Sequence, residues 1–286
     1  MTLLVCHREA GRITLLADTR ISGAYGVATD SGPKVLGLSI VVSHGHPKPL
    51  PPVTGTYGFA FAGSTLAAMS TFAMVSTCLQ SLVTPCVPRL PSVESVADLF
   101  RRLGERYARE IAAPFECFIA GPAVDGGEPY AFSIRPILHE GLLTMCISEL
   151  DRNRRGFWAL GSGAEPYMAF AHAHKPWASV IGSVQAFIVA QVDPKVGGSL
   201  QAGRCDQDGF SPHMMLEMDA GTRAVKGSFL GIDENDLGLV DGLDLGANVL
   251  GEPNIFRDGV FTNRVVVDGD SIYRGFWRAN SGEPSS

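Results

Sequence analysis

The sequence predicts an α+β protein, a four-layer αββα sandwich in which two antiparallel sheets face each other and helix pairs cover their outer sides, with a C-terminal extension. Three observations predict it. Short alternating or wholly apolar segments, bounded by Gly and Pro, gather over 2–62 and again over 115–160. Each gathering is followed by two stretches with apolar residues at helical spacing, over 65–111 and 165–191. A further strand at 199–204 then follows. Helices that arrive in pairs after groups of strands belong on the faces of antiparallel sheets, not in parallel crossover units. The 286 residues suffice for one large domain or two small ones. The main domain is read as 2–215, with 216–286 an extension packed on it.

The first strand covers 2–7 and the return strand 13–17, joined by Glu9-Ala10-Gly11-Arg12, where Gly11 can take positive φ. A second pair covers 34–42 and 56–62. The proline-rich 44–54 between them reads as an exposed loop. Ser64 or Thr65 caps a helix running to about Leu82, where Pro85 and Pro88 stop it. Ser92 opens a second helix carrying Val93, Val96, Ala97, Phe100, Leu103 and Tyr107 on one side, and Ala113-Pro114 ends it. Strands follow at 115–120, 130–134, 142–148 and 157–160, with helices over 165–174 and 178–191. Beyond about 215 the pattern weakens. A hairpin over 261–267 and 271–277 and a frayed tail over 279–286 are expected, and no internal repeat is present.

Composition excludes several functions. Hydrophobic residues make up 45% and charged residues 18%, which fits a filled core rather than disorder. A net charge of −6 without clustered Lys and Arg argues against nucleic acid; Arg152, Arg154 and Arg155 read as a solvated turn. No charged residue lies between Lys48 and Arg89, but the prolines and many hydroxyl side chains there favour a buried helix, or one facing a subunit neighbour, over a membrane span. The N-terminus lacks a basic leader and reads as no signal peptide. The six cysteines form no CxxC pair and read as reduced, buried thiols of a cytoplasmic protein. Asp233, Asp236, Asp241 and Asp244 match no calcium-loop spacing, and His172 and His174 point to different helix faces, so neither a metal nor another cofactor is expected.

The residues that carry chemistry are Thr2, Asp18, Arg20, Lys34 and the turn Ala62-Gly63-Ser64. A hydroxyl on the first residue of a processed chain has a base on its own residue, since an α-amino group has a pKa near ~8 and keeps a usable neutral fraction. A neighbouring lysine favours the anionic nucleophile and lowers the amine pKa, and a carboxylate such as Asp18 fixes that lysine. Gly63, between a strand and a helix, is placed to aim its N–H at a developing oxyanion. The first hairpin brings its two ends together, so Thr2 and Asp18 become neighbours although a whole strand pair separates them along the chain.

Ala17-Asp18-Thr19-Arg20, with a Thr placed directly after Met1 at the far end of the same hairpin, resembles the catalytic β-subunits of the proteasome and the bacterial HslV peptidase. Lys34 matches that family's catalytic lysine, and Ala62-Gly63-Ser64 its oxyanion turn. Leu160-Gly161-Ser162-Gly163 is similar to its Gly-Ser-Gly element, and Val192-Asp193-Pro194-Lys195-Val196-Gly197-Gly198 to the segment with its second aspartate. The match runs in order from Thr2 to about Cys205. The resemblance implies the N-terminal-nucleophile hydrolase fold and a threonine peptidase. Thr2 would be the nucleophile after Met1 removal, Asp18 and Lys34 the activating pair, Gly63 the oxyanion donor, and Ser162 and Asp193 the groups orienting the amine. Arg20 would brace Asp18 or Asp193, Gly163 and Gly197 would support, and Ser22 and Thr65 would contact substrate. It also implies a peptide or unfolded-protein substrate, a homo-oligomeric ring and an ATPase partner.

Three departures stand out: Val196 where the family carries serine, the longer loop over 44–54, and the long extension over 216–286. Its length and missing propeptide make the chain look closer to the ancestral β-subunit (Anbu) group and the betaproteobacterial homologues than to a true proteasome subunit. Two alternatives stay open: an N-terminal-nucleophile amidase acting on small amide or γ-glutamyl substrates through the same residues, and a ring subunit that has lost activity, toward which Val196 leans.

Overall fold

The computed structural model describes residues 2–23, 26–45, 50–152, 154–174, 179–218, 225–237 and 248–250. It is a mixed α+β structure built on two large sheets. In chain order the strands and helices are β1 (Leu4–Glu9), β2 (Arg12–Asp18), β3 (Ile21–Gly23), β4 (Gly26–Thr29), β5 (Val35–His44), β6 (Val53–Gly63), α1 (Thr65–Leu79), β7 (Leu82–Thr84), α2 (Val93–Ile111), β8 (Phe115–Gly121), β9 (Tyr130–His139), β10 (Leu142–Glu149), β11 (Gly156–Leu160), α3 (Ala164–Ala173), α4 (Val180–Val189), β12 (Leu200–Asp206), β13 (Gly209–Met218), β14 (Val225–Phe229), β15 (Ile232–Asp233), α5 (Glu234–Leu237) and β16 (Asn248–Leu250).

The first sheet has the order β11-β1-β2-β12-β13-β14-β15, with β16 also on β13; the second has the order β10-β9-β8-β6-β5-β7. The β1–β2 hairpin turns at Ala10 and Gly11, whose φ of +69° is the left-handed value expected of glycine there. Both long helices begin as the sequence predicts. Ser64 accepts the Ala67 N–H at 3.2 Å, and Ser92 accepts the Ser95 N–H at 3.1 Å. Each such cap contributes about 1 kcal/mol.

Three apolar clusters locate the core. One joins α1 and α2 to the second sheet, with Phe59 and Phe100 stacked at 4.8 Å. Another lies between the sheets, where Leu4, Cys6, Leu15 and Ala17 meet Val35, Ala60, Phe118 and Ala120. The last joins Leu3 and, from the first sheet, Val5 and Leu16 to α3 and α4 through Tyr167, Val184 and Phe187. Emptying one of the stacked positions, as in Phe59→Ala, costs about 3–5 kcal/mol.

Several local expectations need correction. The helix expected to run to Leu82 stops at Leu79, and Leu82–Thr84 pair in parallel with the end of β5, because strand pairing satisfies backbone groups that the Pro85 break would leave open. The loop expected over 44–54 is shortened from both sides, since β5 runs to His44 and β6 starts at Val53. β3, β4 and β13 were not expected. β13 carries Pro212 and no clean alternation, and it is held by pairing with β12 and β14. Cys6, Cys117 and Cys205 are buried as expected, but Cys86 and Cys146 are exposed on a turn and on β10. The hairpin expected over 261–277, the tail, and Asp241 and Asp244 lie outside the described residues. Among the described residues no helix is long and apolar enough to cross a membrane.

Candidate active site

The site is built at one end of the seam between the two sheets. In the β1–β2 hairpin Leu4 faces Ala17, so the residues just beyond them also meet. The Leu3 N–H donates to Asp18 Oδ1 at 2.9 Å, and the Asp18 N–H donates to Leu3 O at 3.3 Å. Asp18 is fully buried at the end of β2, a central strand flanked by β1 and β12. The second sheet brings Lys34, the residue before β5. Its Nζ donates to Asp18 Oδ1 at 3.0 Å and to Arg20 O at 2.5 Å. Lysine and the Thr2–Leu3 peptide thus converge on one carboxylate oxygen. The other oxygen, Oδ2, accepts the N–H groups of Arg20 and Gly197, both at 3.2 Å.

Burial pushes the Asp18 carboxyl up and the Lys34 ammonium down from their ordinary ranges, and the ion pair opposes both shifts, helped at Asp18 by the Leu3 and Gly197 N–H groups. Thr2 itself is 5% exposed.

Gln201, on β12, is a part of this arrangement that sequence reasoning missed. Its fully buried side chain accepts the Lys34 and Val35 N–H groups at 2.9 and 3.1 Å and donates to Asp18 O and Gly32 O at 3.1 and 3.0 Å. All four hydrogen bonds of the amide are made, and they tie β2 of one sheet to the start of β5 in the other. A lone Gln within an expected strand carries no signal of this.

Arg20 was expected to brace Asp18 or Asp193, and only its backbone N–H reaches Asp18. Its guanidinium instead takes Asp30 in a two-pronged ion pair at 2.6 and 3.1 Å, and it reaches the Asp193 segment by donating to Pro194 O at 2.8 Å. Asp30 is held below the usual carboxylate range by this contact. Gly197 lies directly on the guanidinium: a Cβ there would stand 2.7 Å from Arg20 Nη1. Arg20 thereby clamps the segment whose Gly197 N–H reaches Asp18. Asp193 is half-buried, and its carboxylate accepts the Lys195 N–H of its own turn at 2.9 Å. No contact joins it to Thr2 among the described residues.

Gly63 ends β6 with φ +97° and is exposed; a Cβ would stand 2.8 Å from Pro114 O. Gly161, with φ +83°, is pressed against Thr2, so that a Cβ would overlap Thr2 O and stand 3.0 Å from Ala62 Cβ. The Gly163 N–H donates to Thr2 O at 3.2 Å. The turn Gly161-Ser162-Gly163 therefore lies on Thr2 and against Ala62, the residue before Gly63, with the Ser162 side chain exposed. Glu116 of β8, also not singled out in the sequence, accepts the Gly161 N–H at 2.7 Å. Val196 is buried against this turn, 2.7 Å from where a Gly163 Cβ would be. Ser22 on β3 and Thr65 at the start of α1 are half-buried.

No protein-family model matches this chain, and no curated protein does. Solved structures do. An Anbu (Gly-1) mutant from Hyphomicrobium sp. strain MC1 matches with TM-score 0.51 and 17% identity, over 74% of this chain and 84% of that one. The helical assembly of the Anbu complex from Pseudomonas aeruginosa matches with TM-score 0.51 and 14% identity, over 76% and 88%. Anbu (ancestral beta-subunit) from Yersinia bercovieri matches with TM-score 0.50 and 12% identity, over 73% and 86%. At these identities the likeness is one of fold.

Proposed function

We propose that this chain is a threonine peptidase of the proteasome type, acting through Thr2 once Met1 is removed. The observation that carries the reading is the convergence of the Lys34 ammonium and the Leu3 N–H on one buried oxygen of Asp18, which sets a fixed cation beside the start of the chain. The Anbu-like fold supports it. So do the three stacked apolar clusters, which suit a four-layer αββα sandwich of the N-terminal-nucleophile kind.

In this reading the freed α-amine of Thr2 takes the proton from Thr2 Oγ as the oxygen attacks a peptide carbonyl. The positive charge of Lys34, held by Asp18, favours the developing alkoxide. The Gly63 N–H stabilises the oxyanion, a contribution of about 10²–10³ in rate for one such donor. The C–N bond breaks, the amine product leaves with the proton, and water then cleaves the Thr2 ester. Ser162, on the turn that holds Thr2 O, and Asp193 orient the amine. Arg20, Gly163 and Gly197 hold the supporting segments, and Ser22 and Thr65 line the substrate path.

The domain is taken as 2–215 with 216–286 packed on it; pairing of β14 and β16 with β13 supports that packing. A peptide or unfolded-protein substrate, a homo-oligomeric ring, an ATPase partner and a cytoplasmic setting complete the proposal. The P. aeruginosa Anbu complex forms a helical assembly. Here the uncharged α1 exposes Leu66 and Met74, which suits a subunit contact.

The test is the intact mass of the purified protein before and after a threonine-reactive electrophile. Loss of Met1 and one adduct on Thr2 are expected; full hydrolytic activity in Thr2→Ala would end the proposal. Val196 favours a second reading, a ring subunit without activity, because a buried valine stands where the family resemblance calls for a serine hydroxyl. Retention of Met1 would decide for that reading.

A further inference from the structure

Glu116 stands at an inward position of β8. Its neighbours Phe115, Cys117 and Ile119 face the cluster under α1 and α2, while Phe118 and Ala120 face the other sheet. Strand alternation therefore turns Glu116 toward the seam between the sheets, where a carboxylate needs a partner. It sits opposite Ala62 in the β6–β8 ladder, one residue from Gly63. Among the described residues it forms no ion pair. Its partner is the N–H of Gly161 at 2.7 Å, a charge-assisted contact to a residue in left-handed conformation (φ +83°). Gly161 in turn has no room on its Thr2 side, and the next glycine of the turn, Gly163, donates to Thr2 O at 3.2 Å.

We propose that Glu116 is a positioning residue for Thr2: its carboxylate pins the Gly161-Ser162-Gly163 turn, and the pinned turn fixes the nucleophile beside Gly63. The inference rests on Thr2 as the nucleophile and adds a residue from the opposite sheet. Two effects follow. The anchor needs an acceptor of this reach, which glutamine supplies and alanine does not. The negative charge at this end of the seam also stabilises the protonated form of the Thr2 amine, so its removal moves the amine toward the neutral, basic form at lower pH.

The experiment follows acylation of Thr2 by a β-lactone by intact mass between pH 6 and 9. In that reaction Thr2 Oγ forms the ester, the ring C–O bond breaks, and the Oγ proton ends on the released hydroxyl. Glu116→Ala is expected to react about 10–100-fold more slowly, as for loss of a hydrogen bond to a charged group. Glu116→Gln is expected to stay within about threefold of wild type at pH 8, because the acceptor remains. Its rising limb in the pH–rate profile is expected to lie at lower pH than in wild type. Glu116→Asp, shorter by one methylene, is expected not to rescue. Glu116→Ala at the wild-type rate, Glu116→Gln as slow as Glu116→Ala, or an unmoved limb in Glu116→Gln overturns the role of Glu116 while Thr2 stands. Wild-type protein that gains no adduct on Thr2 overturns the nucleophile and this inference with it.

Discussion

Replacing Lys34 by methionine tests the buried pair most directly. In the wild type the Asp18 carboxylate accepts four donors: Lys34 Nζ, Leu3 N–H, Arg20 N–H and Gly197 N–H. Methionine keeps the unbranched stem, one atom shorter, and removes the ammonium, leaving an anion with no exposure to solvent and three neutral donors. Breaking one side of a buried ion pair costs about 3–5 kcal/mol, and the three remaining N–H groups place this case near 3 kcal/mol. The loss carries a pH signature. Without the cation, nothing but those N–H groups opposes the upward push of burial on Asp18. A carboxyl whose folded pKa lies above its unfolded value binds more protons in the folded state, so folding weakens as pH rises through that window and recovers as pH falls. Urea unfolding at pH 8 and pH 5.5 should therefore show a larger deficit for Lys34→Met at the higher pH. Adding Asp18→Asn should restore part of it, since the two sites are directly coupled. A deficit under about 1 kcal/mol, well short of a buried-pair loss, or one equal at both pH values, refutes the reasoning.

Other expectations follow from the same geometry. Gly161→Ala meets both a left-handed φ and Thr2 O and should abolish Thr2 reactivity, whereas Gly126→Ala, with φ +78° and nothing within 4 Å, should leave reactivity unchanged; for the latter, melting should report only the backbone cost of about 1–2 kcal/mol. Gln201→Leu strands four buried backbone groups and should destabilise by several kcal/mol (about 1–3 for each group not re-satisfied), read by chemical denaturation. Asp30→Asn removes the partner of Arg20 at a half-exposed carboxylate and should cost about 1 kcal/mol or less of stability, while slowing Thr2 acylation by loosening the Gly197 segment. Burial pushes His213 down to about 4, so the unfolded chain gains a proton that the folded chain refuses; about 3 kcal/mol should be lost as pH falls from about 6.5 to about 4, and His213→Gln should flatten that part of the stability profile.

Much of this arrangement is legible in the sequence because it depends on local signals. The hairpin closed at Gly11 needs only a turn residue between two apolar runs, and it suffices to bring Leu3 to Asp18. Ser64 and Ser92 are read as helix starts from their type and position, and both cap as expected. The ancestral β-subunit resemblance agrees with the likeness to the Anbu structures at the coarse level of a mixed α+β fold. What was not legible is what depends on distant pairing. Gln201 and Glu116 look like ordinary polar residues in strands; only the packing of the two sheets gives the one four backbone partners and the other Gly161. Arg20 was expected to brace Asp18 or Asp193, yet its guanidinium takes Asp30, whose carboxylate offers it both oxygens, while Asp18 is already filled by Lys34 and backbone donors. β13 escaped because Pro212 and Gly209 break the alternation that marks a strand, and its place is set by neighbours on both sides.

The lock formed by Gln201 has a consequence for the order of events in the life of the chain. Asp18 and Lys34 emerge early from the ribosome, but the amide that holds their strands together is supplied only at position 201, after most strands of both sheets have been synthesised. A growing chain therefore carries Asp18 and Lys34 without the clasp that gathers their strands. Under the proposed function, bond-breaking at Thr2 would wait for that clasp until translation is well advanced, which would spare the nascent polypeptide from attacking itself or its neighbours on the way out.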